Sequence, residues 1–204
     1  MCSIFKGICA VAVAAAVLWG CGDGSDTAPS YVPTPRPLAY PRTPVYEPAY
    51  ITEKLPGVSF DVNSGAVVDV APGASAVNVH YPLYDATLYL TVRRGMADSA
   101  TIEREWERCA QRIDLNLGGA PADAGSFERA DGTAAMVVRA RSTAQTPVQL
   151  IAANGRHGVL LSGAVFMNGW DGPVAYDSVR TVVDALERDV QRLIETLSYA
   201  DSNN

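Results

Sequence analysis

The sequence is poor in the residue types that most often carry out chemistry. Its 204 residues include two histidines, four cysteines and two lysines, Lys6 and Lys54. His80 and His157 cannot form a zinc site without carboxylates, and no short metal-ligand spacing accompanies them. The chain also lacks a phosphate-binding glycine loop and a nucleophile elbow. We therefore expect no metal and no cofactor, and no pattern supports an enzyme.

The chain also lacks an apolar run long enough to cross a membrane. Its longest run ends at Gly20 and has about 13 apolar residues, whereas a spanning helix needs roughly 20. A charged residue, Lys6, precedes the run and a small residue ends it, as in a secretory signal peptide. Residues 18–21, "LWGC", span the end of this run and the cysteine after it. They resemble the lipobox of bacterial lipoproteins, although Trp19 is larger than the residue usual at its position. We expect residues 1–20 to be a signal peptide and Cys21 to carry the lipid.

A lipid on Cys21 would fix the chain to a membrane that it does not cross. Each buried methylene of an acyl chain such as palmitate contributes about 0.8 kcal/mol, and lipoprotein processing adds more than one chain. Cleavage after Gly20 would remove Lys6 and no acid, so the 16 basic and 22 acidic residues would leave a net charge of −7. An acidic chain of this kind argues against nucleic acid as a partner.

Proline is concentrated in the segment that follows. Seven of the 13 prolines lie between residues 29 and 48. Proline fixes φ and has no N–H to donate, so the segment favours extended polyproline II. Residues 21–54 are therefore predicted to be a lipidated N-terminus and a semi-rigid stalk. The tyrosines and arginines among the prolines also suit a strip that docks into a partner groove, and both interpretations stay open.

Residues 55–204 are predicted to form a single α+β domain with a largely antiparallel sheet. Apolar runs at residues 58–62, 76–81 and 86–92 indicate strands, and residues 99–113 indicate a helix with Asp98 or Ser99 as its N-cap. Two further segments each contain a hairpin signal, at Asp131-Gly132 and at Asn154-Gly155. Gly163, in the middle of a predicted strand, suggests a close neighbour.

The clearest element is a C-terminal amphipathic helix that begins at Asp177 or Ser178. Its apolar residues recur at helical spacing up to Leu197, so they should cover one face of the sheet. Asp184 and Arg188 are four residues apart and are predicted to form an ion pair on its solvent-exposed side. In the internal helix, Cys109 shares the apolar face and is predicted to be a buried thiol.

Three segments together resemble the gliding motility lipoprotein GldD family. They are the stalk "YVPTPRPLAYPR", the segment "NVHYPLYDATLYLTV" and the stretch from "TPVQLIAANGRHGVLLSGAVF" through the "RLIETL" helix to the end. The resemblance departs at Ser142 and Thr143, and residues 117–132 match poorly. It implies a non-catalytic, accessory or assembly lipoprotein of the gliding and type IX secretion apparatus of Bacteroidota.

The resemblance also implies where the protein works and what it contacts. It favours a membrane-anchored envelope protein, on the periplasmic face of the outer membrane rather than the inner membrane, with other gliding or secretion proteins as partners. The candidate contact residues are Pro33, Pro35, Arg36, Tyr40, Tyr81 and Tyr84. The segment "DTA" at Asp26–Ala28 resembles an O-glycosylation sequon of Bacteroidota, with Thr27 as the acceptor.

Two other functions remain open from the sequence. A periplasmic lipoprotein of PsbP/Mog1-like architecture would bind a lipid, glycan or peptide between the sheet and the C-terminal helix. A hydrolase would need a histidine and two carboxylates converging in a cleft.

Overall fold

The computed structural model describes residues 44–70, 75–96, 98–169 and 176–200. These residues belong to one compact unit, residues 40–204. Ten strands are described: β1 (Tyr50–Leu55), β2 (Val58–Asn63), β3 (Val67–Val70), β4 (Ala76–Tyr81), β5 (Ala86–Arg93), β6 (Ala122–Glu128), β7 (Thr133–Ala140), β8 (Val148–Asn154), β9 (Val159–Met167) and β10 (Ser198–Tyr199). Two α-helices, α1 (Ser99–Leu117) and α2 (Tyr176–Thr196), and a 3-10 helix (Pro82–Tyr84) complete the described elements. The predicted α+β fold is confirmed.

The strands form two antiparallel sheets. The larger sheet has the order β3-β4-β5-β9-β8-β7-β6, and the smaller has the order β1-β2-β10. α2 packs against β2, β7 and β8 on one side of the large sheet, and α1 packs against β8 and β9 on the other. The large sheet therefore separates two apolar clusters.

The main core lies under α2, as its apolar spacing predicts. Leu186, Val190, Leu193 and Ile194 are each at most 1% exposed and pack against the sheet. α2 ends at Thr196, one residue before the buried Leu197, and Ser198–Tyr199 then pairs with β2. The apolar spacing continues to Leu197, but the helix has already ended there and β10 begins at the next residue.

The second cluster lies under α1. Cys109 and Ile113 are buried there, which confirms the predicted apolar face, and Trp106 packs beside them. Asp98 is the N-cap, because its Oδ1 accepts a hydrogen bond from the Thr101 N–H at 2.6 Å. Gly118 ends the helix in the left-handed conformation with φ +59°.

The chain joins the domain earlier than residue 55, the boundary predicted from the proline pattern. The last proline of the proline-rich segment is Pro48, and β1 begins two residues later and pairs with β2 along its whole length. β1 is an edge strand with only half-buried and exposed positions, so its sequence shows no strong alternation.

Candidate interaction surface

Three rows of side chains cross the large sheet on the side that carries α1. The register aligns Val67, His80, Thr87 and Phe166 in the first row, and Asp69, Asn78, Tyr89 and Ala164 in the second. Ala76, Thr91 and Ser162 form the third. Residues directly opposite in antiparallel strands lie on the same face. We call these eleven residues the open face, because α1 packs over β8 and β9 and leaves β3, β4 and β5 largely uncovered.

The open face exposes large apolar and aromatic groups. Val67 is 57% exposed and Tyr89 is 48% exposed. The rings of Tyr89 and Phe166 meet edge to face, with centroids 6.4 Å apart, which is a favoured geometry for an aromatic pair. Asp69 is the one Asp, Glu, Lys or Arg among the eleven residues. The surface is therefore almost uncharged on a chain that is acidic overall.

A polar network supports the middle of the open face. His80 Nδ1 lies 3.1 Å from Thr87 Oγ1, and Asn168 Nδ2 donates to the same oxygen at 3.4 Å. Asn168 also reaches Asp85, a non-glycine residue at φ +48° after the 3-10 helix. Thr87, in the middle of the first row, is 2% exposed. The face is thus set by packing and by side-chain hydrogen bonds within the domain.

The two histidines do not form a catalytic or metal cluster in the described part of the chain. His80 lies on β4, as predicted, but His157 lies in the turn after β8 and stacks on Tyr199 at a centroid distance of 4.7 Å. Among the described residues, no group of three or more His, Cys, Asp or Glu side chains could hold a metal ion. The convergent histidine and carboxylates that would favour a hydrolase are not found there.

A tyrosine cluster fixes the segment before β1 to the rest of the domain. The backbone N–H of Tyr46 donates to the Tyr84 hydroxyl at 2.7 Å, and the Tyr46 hydroxyl accepts from the Leu83 N–H at 2.8 Å. The Tyr46 and Tyr84 rings meet edge to face at 5.0 Å, and the Tyr81 and Tyr84 rings stack at 6.1 Å. This cluster fixes the segment that leads into β1.

The cluster buries two of the residues predicted to contact a partner. Tyr81 is 2% exposed and Tyr84 is 7% exposed, so both rings support the core, and Leu83 is the large apolar side chain of that turn that reaches solvent. The other predicted residues of this kind, Pro33, Pro35, Arg36 and Tyr40, lie outside the described residues. The lipid site Cys21 and the glycosylation site Thr27 also lie outside them. Partner contact stays a prediction for all six residues proposed for it, which are Pro33, Pro35, Arg36, Tyr40, Tyr81 and Tyr84.

Asp189, on α2, is an ionisable side chain buried in this region. It is 3% exposed, its Oδ1 accepts from the Tyr50 hydroxyl at 3.0 Å, and its Oδ2 has no hydrogen-bond partner among the described residues. Burial raises the pKa of Asp189 above its usual range, because the ionised form loses its hydration. Burial, and next the nearby Asp189 carboxylate, also raise the pKa of Tyr81.

The sequence placed Tyr89 and Phe166 on strands but did not single them out. Each alternates with buried residues, Leu88 and Leu90 on β5 and Val165 and Met167 on β9, so each points away from the main core. The signal that could have predicted this surface is an aromatic residue at an outward-facing position on each of two strands.

Neither helix in the described residues is both long enough and apolar enough to cross a membrane.

Comparison with known proteins agrees with the resemblance seen in the sequence. The family model described as gliding motility lipoprotein GldD matches residues 30–199, which include every described strand and both helices. No curated protein matches the chain. Because the matched residues make up most of the sequence, the chain belongs to the gliding motility lipoprotein GldD family.

Proposed function

We propose that this gliding motility lipoprotein is a non-catalytic assembly component of the gliding and type IX secretion apparatus, and that it docks to an envelope protein through its open face. A lipid on Cys21 would hold it at the membrane, on the periplasmic face of the outer membrane, and the proline-rich segment would space the domain from the lipid. The family gives the gliding motility and lipoprotein parts of this description. The assembly role, the secretion link, the absence of catalysis and the membrane face are proposals.

The observation that carries the docking role is the aromatic, nearly uncharged open face. The centres of protein–protein interfaces are depleted in charge and enriched in aromatic residues, and Tyr89 with Phe166 gives the face such a centre. The partner that suits it is a protein surface that is itself apolar at its centre and neutral around it. Asp69 lies beside the exposed Val67 on β3, at the edge of the sheet, where a rim charge is expected.

On the other side of the sheet, the α2 side chains that face the sheet are at most 7% exposed and belong to one continuous core cluster. Close packing of this kind leaves no space for a ligand under the middle of the helix, which is where the sequence placed the ligand-binding alternative. Among the described residues, space lies at one edge of that interface, in a groove of about 500 Å³ between Phe127 and Val137 on the strands and Glu187, Gln191 and Glu195 on α2. The packing therefore disfavours a ligand buried under α2, and a ligand-binding role on this side of the sheet would have to use this edge groove.

The test is cross-linking and affinity purification of the full chain from native membranes, comparing Tyr89→Asp with Leu115→Asp. Leu115 is the matched control, because it is 80% exposed at the end of α1 and lies outside the open face. We expect the native chain and Leu115→Asp to recover a gliding or type IX secretion envelope protein, and Tyr89→Asp to lose it along with gliding on agar. Equal recovery by the two variants would contradict docking through the open face.

A further inference from the structure

A groove runs between α1 and the part of the large sheet formed by β5, β9 and β8. Its volume is about 190 Å³. On the sheet it is lined by Tyr89, Thr91, Ser162 and Ala164, and on the helix by Arg112 and Asn116. The small side chain of Ala164 lies between Tyr89 and Gln149 in one cross-strand row, and this leaves the hollow in the floor. The four sheet residues that line it belong to the open face, so the groove is the part of that face that borders α1.

Two contacts between the helix and the sheet bound the groove. Near the start of α1, Glu105 forms an ion pair with Arg93 of β5. Near its end, Asn116 Nδ2 donates to Gln149 Oε1 at 2.8 Å, and Gln149 is 1% exposed. Ion pairing and hydrogen bonding therefore fix the width of the groove at both ends, and the site is largely pre-formed.

The polar groups between these two contacts have no partners in the described part of the chain. Neither the hydroxyls of Tyr89, Thr91 and Ser162 nor the guanidinium of Arg112 forms a hydrogen bond or ion pair with a described residue. By contrast, the next arginine back on the same helix, Arg108, pairs with Glu105. Three hydroxyls and one exposed cation thus line the groove, and no described residue takes up their hydrogen-bonding capacity.

We propose that this groove binds a carboxylated sugar, a uronic acid unit of a glycan. The guanidinium of Arg112 is a planar fork that matches a carboxylate in two parallel hydrogen bonds. Hydroxyls both donate and accept, so Thr91 and Ser162 suit the hydroxyl groups of a sugar. The ring of Tyr89, 48% exposed, offers an apolar surface with a polar tip to the sugar ring.

Size and charge favour a single anionic sugar unit over a larger apolar ligand. Pockets for drug-sized molecules usually hold about 300–1,000 Å³, so 190 Å³ suits one ring with its substituents. The lining is apolar at Ile113 of α1 and Ile151 of β8, and it is polar at the hydroxyls and at the guanidinium of Arg112. The groove shares four sheet residues with the open face, namely Tyr89, Thr91, Ser162 and Ala164. Arg112, however, lies on α1 and is outside that face, so its substitution tests the sugar site separately from the docking role.

The experiment measures binding of D-glucuronate to the full chain purified in detergent micelles, by calorimetry or by ligand-observed NMR. Two probes of similar size isolate the chemistry: glucose lacks the carboxylate, and cyclohexanecarboxylate lacks the hydroxyls. We expect glucuronate to bind more tightly than either probe. Equal binding of glucose would overturn the role of Arg112, and equal binding of cyclohexanecarboxylate would overturn the sugar class.

Three variants then locate the site. Arg112→Ala removes the cation and should weaken glucuronate binding by roughly ten- to a hundredfold, as for a lost charged hydrogen bond. Ala164→Leu fills the floor and should weaken all residual binding without removing a polar group. Arg104→Ala is the matched control, an exposed arginine of α1 that hydrogen-bonds to Thr101.

The results that overturn the proposal are an absence of glucuronate binding at millimolar concentration, or equal loss in Arg104→Ala and Arg112→Ala. Thermal unfolding of each variant checks that the fold is retained. Affinity purification with Arg112→Ala should still recover the protein partner, so failure of the sugar site and failure of the docking role are separate results.

Discussion

Gly163 is the residue at which the centre of the large sheet leaves no room for a side chain. A Cβ there would lie 2.6 Å from Leu90 Cδ2 and 2.9 Å from the Tyr89 carbonyl oxygen. The second contact is with backbone, which cannot move without shifting β5. We expect Gly163→Ala to lower the free energy of unfolding by about 1–3 kcal/mol, as overpacking does. Denaturant unfolding of the full chain measures it.

Gly125 is the matched control for that substitution. It lies in the edge strand β6, and a Cβ there would meet no atom within 4 Å. Gly125→Ala should therefore leave the free energy of unfolding nearly unchanged or raise it slightly, because alanine reduces the freedom of the unfolded chain. Equal losses at the two positions would show that strand conformation, not the contact with Tyr89 and Leu90, requires glycine at residue 163.

Asp189 gives the domain a pH dependence of predictable sign. Because burial raises the pKa of its carboxyl in the folded state, the folded chain holds this proton more tightly than the unfolded chain. The carboxyl therefore favours folding below its ordinary pKa and loses that contribution as the pH rises through the raised value. Asp189→Asn removes the titration but keeps an oxygen for the Tyr50 hydroxyl.

We expect Asp189→Asn to be more stable than the native chain at neutral pH, because the amide removes the cost of keeping an ionised carboxylate out of water. The difference should shrink as the pH falls below the raised pKa, because the native carboxyl then becomes neutral too. Melting temperatures of both chains between pH 4 and pH 8 (on the order of ten points) measure the difference. A difference that does not change with pH would contradict the assignment to Asp189.

At the scale of elements, Arg129 connects the β6–β7 hairpin to the end of α2. Its Nη1 donates to the carbonyl oxygens of Ile194 at 2.9 Å and of Leu197 at 2.6 Å, and its Nη2 lies 3.2 Å from Asp131. The last carbonyls of a helix lack the usual partner four residues on, and Arg129 provides a charged donor to Ile194 in the last turn of α2 and to Leu197 directly after it. The hairpin and the helix end should therefore be stabilised together.

We expect Arg129→Ala to lower the free energy of unfolding by about 1.5–3 kcal/mol, the value of hydrogen bonds to a charged group. Hydrogen exchange should increase in the last turn of α2 and in β10 before it increases in the centre of the sheet. Arg156→Ala is the control, since Arg156 is an exposed arginine in the neighbouring turn. Unchanged exchange at the end of α2 would contradict the connecting role of Arg129.

The elements that could be predicted from the sequence are those whose apolar pattern is long. β4, β5, β8, β9 and both helices each alternate or repeat over six or more residues, and all were expected. β3 and β10 have four and two residues at sheet edges, where exposure on both faces removes the alternation. Ion pairs are also hard to predict from local spacing. Asp184 pairs with Arg139 of β7 and not with Arg188, the partner expected four residues along the helix.

The candidate surface was less predictable than the fold. The sequence indicates that Tyr89 points away from the main core, but whether it meets solvent depends on where α1 lies across the sheet. That position follows from contacts such as Arg93 with Glu105 and Asn116 with Gln149, which join residues 12 and 33 positions apart. Tyr81 and Tyr84 were predicted to contact a partner, but they are buried because the chain around Tyr46 covers them.

At the scale of the whole molecule, the proposed role requires an acidic, membrane-bound chain with its interaction surface held away from the lipid. The domain contributes a nearly neutral face, and the proline-rich segment ends in the tyrosine cluster, where Tyr46 fixes its last residues to the core. This arrangement predicts that loss of the lipid removes the protein from its site of assembly and leaves the domain folded.

Cys21→Ser tests that separation of anchor from fold. Serine cannot receive the acyl chains, so we expect metabolic labelling with palmitate to be lost, the precursor to keep residues 1–20, and gliding to fail. Cys9→Ser is the matched control, because Cys9 lies in the predicted signal peptide and should leave labelling unchanged. The melting transition of the domain should be the same in both variants, since both residues precede the described fold. Unchanged processing and membrane retention of Cys21→Ser would contradict the lipid anchor, and docking through Tyr89 would then need another means of reaching the membrane.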